Sequence, residues 1–223
     1  MIHIKLFVMG RLKNGPMGTN VGKLGGFVSY FLNGELVTRS IGKVTHWSDA
    51  QYAVQLSTSL VNDLLGPLKE FINISMKYAP KPKRSWSAFT LATSENKLKA
   101  IKGVFPELEI DYSKIVLAIG DIPVPVNPTI QLADGRITFT WEADLNSEGI
   151  DPNDQVMCVA YFPESFQAFT IRGGAKRIEE HQHIKLPSFT EEMTIETYMC
   201  FISEDRKKVS NNIYLGQLIW TKD

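Results

Sequence analysis

The sequence predicts an α+β chain: an N-terminal β-hairpin with two or three helices over residues 1–121, then an all-β sandwich over 122–223. Three observations carry that reading. Apolar side chains recur at three- and four-residue spacing between residues 48 and 102, as an amphipathic helix requires. From residue 108 the texture changes to short β-prone runs separated by turn residues, near the spacing of an all-β sandwich. The proline-rich IPVPVNP at 122–128 stands between the two and marks the expected domain boundary.

The opening MIHIKLFV alternates apolar and polar residues and lacks a small-residue cleavage site, so a strand is expected there and not a signal peptide. Met9 offers a second start. Gly10, Gly15, Gly18, Gly22, Gly25 and Gly26 then suggest a pliant arm. FVSYFL and ELVTRS flank Asn33-Gly34, whose tolerance of positive φ suits a type I′ hairpin turn.

Ser48 and Gln51 match a capping box, and Ala53, Leu56, Leu60, Val61 and Leu64 line one face of the helix that follows. Gly66-Pro67 should break it, because Pro67 lacks the N–H and crowds the preceding turn. LKEFINI resumes the helical pattern. After the basic loop KYAPKPKRSW, a further helix is expected over 86–102, ended by Gly103, with Phe89, Ala92, Asn96 and Ala100 on its inner face. Asn96 reads as a buried, hydrogen-bonded core residue. The later β-prone runs include ITFTW, VMCVAYF, QAFTIRGG, HQHIKLP, TIETYMCFIS and NIYLGQLIW.

Composition narrows the function classes. With 43% apolar and 22% charged residues in 223, the chain is neither disordered nor fibrous, and 2 Cys cannot staple a disulfide scaffold. Cys158 and Cys200 lie in apolar runs and read as buried free thiols. No apolar run is long enough to span a bilayer, so the cytoplasm is the default expectation. The net charge of zero hides a split: residues 1–118 carry 15 Lys+Arg and 8 Asp+Glu, residues 119–223 carry 9 and 16. Opposed halves suggest docking within the chain, head-to-tail association, or a polyanion partner.

Most chemical motifs fail on inspection. Gly18-Thr-Asn-Val-Gly22-Lys23 is one residue short of a phosphate loop, and Leu24 replaces the hydroxyl that would meet Mg²⁺. There is no G-x-S-x-G elbow, His46 reads as a structural boundary residue, and Glu179-Glu180 and Glu191-Glu192 read as solvated turns. Two weak constellations survive. Glu179, His181 and His183 alternate, so on one strand they would share a face and could hold zinc. Lys77, Lys81, Lys83 and Arg84 interleave with Tyr78 and Trp86, the mixture that grips phosphates and stacks on bases. No catalytic residue and no cofactor is expected.

Trp141 closes a second-strand run, and Tyr198 stands two residues before Cys200; on these features the chain from about residue 127 resembles a fibronectin type III or related immunoglobulin-like sandwich. NVGKLGGFVSYFLNGELVTRS, the SDAQ helix start, LGPLKEFINI, IDYSKIVLA and the closing VSNNIYLG carry a second resemblance, from Met9 onward, to an uncharacterised bacterial family of similar length. That resemblance implies an arrangement, N-terminal hairpin and helices before a sandwich, and no chemistry.

The reading ranks a non-enzymatic structural or interaction protein first, a homo-oligomer joined head-to-tail through its opposed halves. The alternative is a monomeric module that binds carbohydrate or peptide with Trp141, Phe166, Phe169 and Trp220. Nucleic-acid binding and hydrolysis rank last.

Overall fold

The computed structural model describes residues 10–12, 20–42, 46–82, 86–145, 149–189 and 191–221. Contacts divide the chain into two units, Met1–Ser48 and Asp49–Asp223. The division therefore falls well before the proline-rich stretch expected to end a domain. The physical reason lies in the second unit, where the helices and the β-half share one core.

In the first unit the described parts of the glycine-rich segment form strands. β1 (Gly10–Leu12) pairs antiparallel with β2 (Asn20–Leu24), Gly10 facing Gly22. β2 pairs with β3 (Phe27–Leu32), and β3 with β4 (Glu35–Ser40), giving a four-stranded meander. Asn33 and Gly34 turn the β3–β4 hairpin at φ 52° and 88°, as the Asn-Gly pair predicts. Paired residues share a face, so the register sorts the side chains. Leu24, Phe27, Phe31 and Leu36 project from one face, with Ser29 and Thr38 bonded hydroxyl to hydroxyl at 2.8 Å between them. Lys23, Val28, Tyr30, Val37 and Arg39 project from the other.

The second unit opens with α1 (Asp49–Leu65), which puts Ser48 at the N-cap position. Gly66-Pro67 breaks the helix as expected, and α2 (Lys69–Ser75) resumes it. α3 (Ala88–Lys99) starts at Ser87, whose Oγ accepts the Thr90 N–H at 3.0 Å. This helix stops short of the expected 102. Ile101–Val104 forms β5, paired with β6 (Glu107–Ile110) in a hairpin the helical periodicity had absorbed. Gly103 ends no helix: it takes φ 88° inside β5, where a Cβ would strike the Glu107 carbonyl.

Seven strands follow among the described residues. β7 (Val126–Ala133), β8 (Arg136–Glu142) and β11 (His181–Lys185) form a three-stranded sheet in the order β11-β8-β7. β9 (Gln155–Phe162), β10 (Gln167–Lys176), β12 (Met193–Ile202) and β13 (Ile213–Trp220) form a four-stranded sheet in the order β10-β9-β12-β13. Alternate residues of its central strands serve two cores. Val156, Cys158, Ala160 and Phe162 of β9, with Met199 and Phe201 of β12, pack against Ile137, Phe139 and Trp141 of the three-stranded sheet. Met157, Val159, Tyr161, Tyr198, Cys200 and Ile202 pack against the helices. The unit is thus three layers, helices on one side and a second sheet on the other. That explains why VMCVAYF and YMCFI read as continuous apolar runs: both faces of these strands are dry.

Segment 115–120 joins the layers without regular structure, and side chains satisfy its backbone. Asn96 donates to Val116 O at 2.8 Å and accepts its N–H at 2.9 Å. Asn212 accepts from Leu117 N and Ala118 N and donates to Ile115 O. Ser75 donates to Leu117 O at 2.5 Å. Buried backbone needs such partners, and the IDYSKIVLA and VSNNIYLG motifs supply two sides of this clamp. Their role here is architectural.

Candidate functional site

Glu179, His181 and His183 line one open cavity of about 300 Å³ together with Ala175 and Gln182, though not as a single strand face. Arg177–Glu179 is a single helical turn, and Glu180 sits at φ 60°, so Glu179 is off the register of β11. Its Oε2 accepts the Lys176 N–H at 2.7 Å and closes its own turn. His181 Nδ1 lies 2.7 Å from Glu179 O, and His183 Nδ1 lies 3.0 Å from Thr138 Oγ1, so both imidazoles have protein partners. Among the described residues no group of three or more His, Cys, Asp or Glu is placed to hold a metal ion. The alternation in sequence failed because a left-handed residue intervenes.

The basic loop is only partly described; Lys83 and Arg84 lie outside the described residues. Lys77 Nζ sits 5.1 Å from the Tyr78 ring centre, and Lys81 Nζ donates to Lys77 O at 2.9 Å. Trp86 is half-buried against the helical core. Tyr78 and the turn carrying Lys207 and Lys208 line a cavity of about 130 Å³, together with Asp121. No local sequence signal connects residues 78 and 208.

Sequence reasoning missed the most heavily buried charge. Arg177 is 0% exposed; its Nη2 donates to Pro123 O at 2.9 Å and to Asp154 Oδ2 at 3.3 Å. The guanidinium lies 3.8 Å from the Phe201 ring centre, and the backbone carbonyl accepts the Trp141 indole N–H at 2.6 Å. Nε and Nη1 have no hydrogen-bond partner among the described residues. Burial pushes the Asp154 carboxyl above its usual range despite the cation beside it, and pushes the guanidinium down. The group ties the turn after β10 to the core between the sheets; solvent does not reach it.

Other displaced groups have the same cause. Burial pushes the Cys200 thiol up to about 12 and drives Cys158 and Tyr198 upward as well. The two thiols are free and lie on opposite faces of the four-stranded sheet. Glu196, 2% exposed, accepts from Tyr214 Oη at 2.7 Å and Gln217 Nε2 at 2.9 Å on the helix side of the sheet. Of the four aromatic residues weighed for ligand binding, Trp141 is core, Phe169 and Trp220 pack around Phe189, and Phe166 is 57% exposed.

The N-terminal sheet presents a different kind of surface. Leu24, Phe27, Phe31 and Leu36 share one face and are 53%, 58%, 50% and 40% exposed. The register puts no charged residue of β2, β3 or β4 on that face. Charge also follows the division between the units. Residues 1–48 hold Lys5, Arg11, Lys13, Lys23, Arg39 and Lys43 against Glu35, a net +5, and residues 49–223 hold 18 Lys+Arg against 23 Asp+Glu, a net −5.

No helix among the described residues is long and apolar enough to cross a membrane. Comparison with curated proteins and with solved structures returned no match. A family model does match, over residues 32–216, which takes in the β3–β4 hairpin end, all three helices and nearly all of the two-sheet region. The chain belongs to the family of unknown function DUF6266.

Proposed function

We propose that this is a non-enzymatic structural or interaction protein that assembles head-to-tail, the cationic N-terminal sheet of one copy docking on the anionic body of the next. The single observation that carries this reading is the wet, uncharged apolar face of β2, β3 and β4. A single-layer sheet buries little on such a face by itself, here only the small Ser29, and large exposed apolar patches mark interaction surfaces. The +5 and −5 units supply mutual attraction and orientation, screened by salt. Because the two surfaces differ, the contact is heterologous and leads to rings or filaments.

The two-sheet part of the body reads as a fibronectin type III or immunoglobulin-like sandwich. In its support, the first, second and fifth of the seven strands share one sheet, and the third, sixth and seventh share the other with the fourth. Tyr198 departs from the pattern: it faces the helices, and its hydroxyl donates to Tyr112 O at 2.8 Å.

The test is solution mass by light scattering at low and high salt, on the full chain and on Phe27→Glu/Phe31→Glu. Multimers that dissociate with salt, and a monomeric variant with an unchanged circular dichroism spectrum, are the expected result. A wild-type monomer at low salt overturns the reading.

A further inference from the structure

The body carries a groove of about 470 Å³ between α1, the β5–β6 hairpin and the turn from β9 to β10. Leu60, Leu108, Ile110, Pro163 and Phe166 supply apolar wall, and Asp63 a carboxylate. The cation lining it, Lys102, is 3.5 Å from Glu109 and so already engaged. Asp63 has no cationic partner among the described residues; it accepts one long bond, from Ser59 Oγ at 3.5 Å. With Lys102 and Glu109 offsetting each other, Asp63 leaves the lining net negative.

Phe166 adds a separate argument. It stands at φ 50°, where a bulky side chain is a conformational outlier, and it is 57% exposed. A glycine would close the β9–β10 turn without that strain. Strain of this kind, at an exposed aromatic beside an apolar groove, points to a contact made by the side chain itself.

We infer that this groove receives the N-terminal sheet of a second copy, with Phe166 as the anchor. The inference rests on the assembly reading above and names its receiving surface. The occupant must be apolar in contact and cationic overall, because the walls are apolar and the unpaired charge is negative. The unit Met1–Ser48 has both properties: Leu24, Phe27, Phe31 and Leu36 on one face, and a net charge of +5. Apolar contact would supply the affinity and the field the steering.

Short-span thiol cross-linking of full chains tests it, since Cys158 and Cys200 are fully buried and do not compete. A mixture of Phe27→Cys and Phe166→Cys chains, joined by a short bismaleimide, is expected to give the mixed dimer in excess over either homodimer. Phe166→Gly is expected to keep the fold and weaken association about tenfold, as loss of one aromatic anchor does. Four results overturn the inference. An internal cross-link in a monomeric Phe27→Cys/Phe166→Cys chain places the sheet on its own body. Homodimers of Phe27→Cys alone place it on another sheet. Wild-type assembly that Phe166→Gly leaves unchanged, without mixed cross-links, removes the groove and leaves the assembly reading standing; a wild-type chain that never assembles removes both.

Discussion

β3 and β9 are both antiparallel strands rich in aromatic and β-branched residues, FVSYFL in one and QVMCVAYF in the other, yet they live in opposite environments. Seven of the eight residues of β9 are buried, from Val156 to Phe162, because helices cover one face and a second sheet the other. In β3 the one buried residue is the small Ser29, while Phe27, Phe31 and Leu32 are exposed. The difference teaches that composition fixes how much apolar surface a strand owns, and layering decides where that surface is spent. The body satisfies its strands internally. The N-terminal sheet, as one layer, keeps its apolar side chains in solvent until something covers them.

The sharpest way to break the comparison is to damage the layer the N-terminal sheet lacks. Arg177→Met leaves Asp154, 3% exposed, without its cation between the two sheets. The expected loss at neutral pH is about 3–5 kcal/mol, the cost of breaking a buried pair from one side. It is read from chemical denaturation. Acid should soften it. Burial already holds the Asp154 carboxyl above its usual range, and removing Arg177 raises it further, so the native variant takes up a proton that the unfolded chain does not. Stability from that proton grows as pH falls through the raised folded value and is lost as pH rises through it. The penalty should therefore be largest at neutral pH and shrink towards pH 4. A penalty that grows in acid would contradict this account of the pair.

A second change tests whether the helices belong to the body. Asn96→Ala removes one donor–acceptor pair from Val116 and a donor from Ala92 O, all at 2.8–2.9 Å. Leaving the Val116 N–H and carbonyl without that partner should cost about 2–3 kcal/mol. Because helices and sheets share a core, the chain should still unfold in one transition over residues 49–223. Separate transitions for the helices and the strands would restore the boundary expected near residue 121.

Much of this was legible locally. Asn33-Gly34, the Gly66-Pro67 break and the burial of Ala92 and Asn96 on α3 each depend on residues a few positions apart, and each came out as read, whereas Phe89 is only half-buried and Ala88 and Leu91 complete the face. What failed depended on distant partners or on one unusual backbone angle. Gly103 reads as a helix stop, but its positive φ serves a hairpin closed by Glu107. Glu179 reads as part of an alternating strand face, but Glu180 in the left-handed region breaks the alternation. Arg177 gave no signal at all, because nothing in RIEEHQH marks its guanidinium for burial against Phe201 and Asp154. The charge split was visible from the start; only the structure moved it to the division at residue 48.

Phe166→Gly probes the body from the opposite direction. The wild-type residue holds a left-handed φ of 50°, and relieving it should stabilise the monomer by about 1 kcal/mol, seen as a raised melting temperature. If the side chain were instead part of the core, the same change would lower it.

The smallest effect is the most telling. Phe27 is 58% exposed and Phe201 is 0% exposed. Phe201→Ala should cost about 3–5 kcal/mol by opening a cavity against Trp141 and Arg177. Phe27→Ser should change unfolding of the body by less than about 0.5 kcal/mol, the range of surface substitutions. Tryptophan emission is a suitable probe in a Trp47→Phe background, because Trp47 lies in the first unit and Trp86, Trp141 and Trp220 lie in the second. A phenylalanine that is nearly neutral for the fold has no reason in monomer stability to stand on an uncharged face. If Phe27→Ser leaves the melt unchanged and reduces assembly, the face belongs to the interface. If it destabilises the body as Phe201→Ala does, the two regions are one folding unit, and the contrast between a dry sheet and a wet one fails.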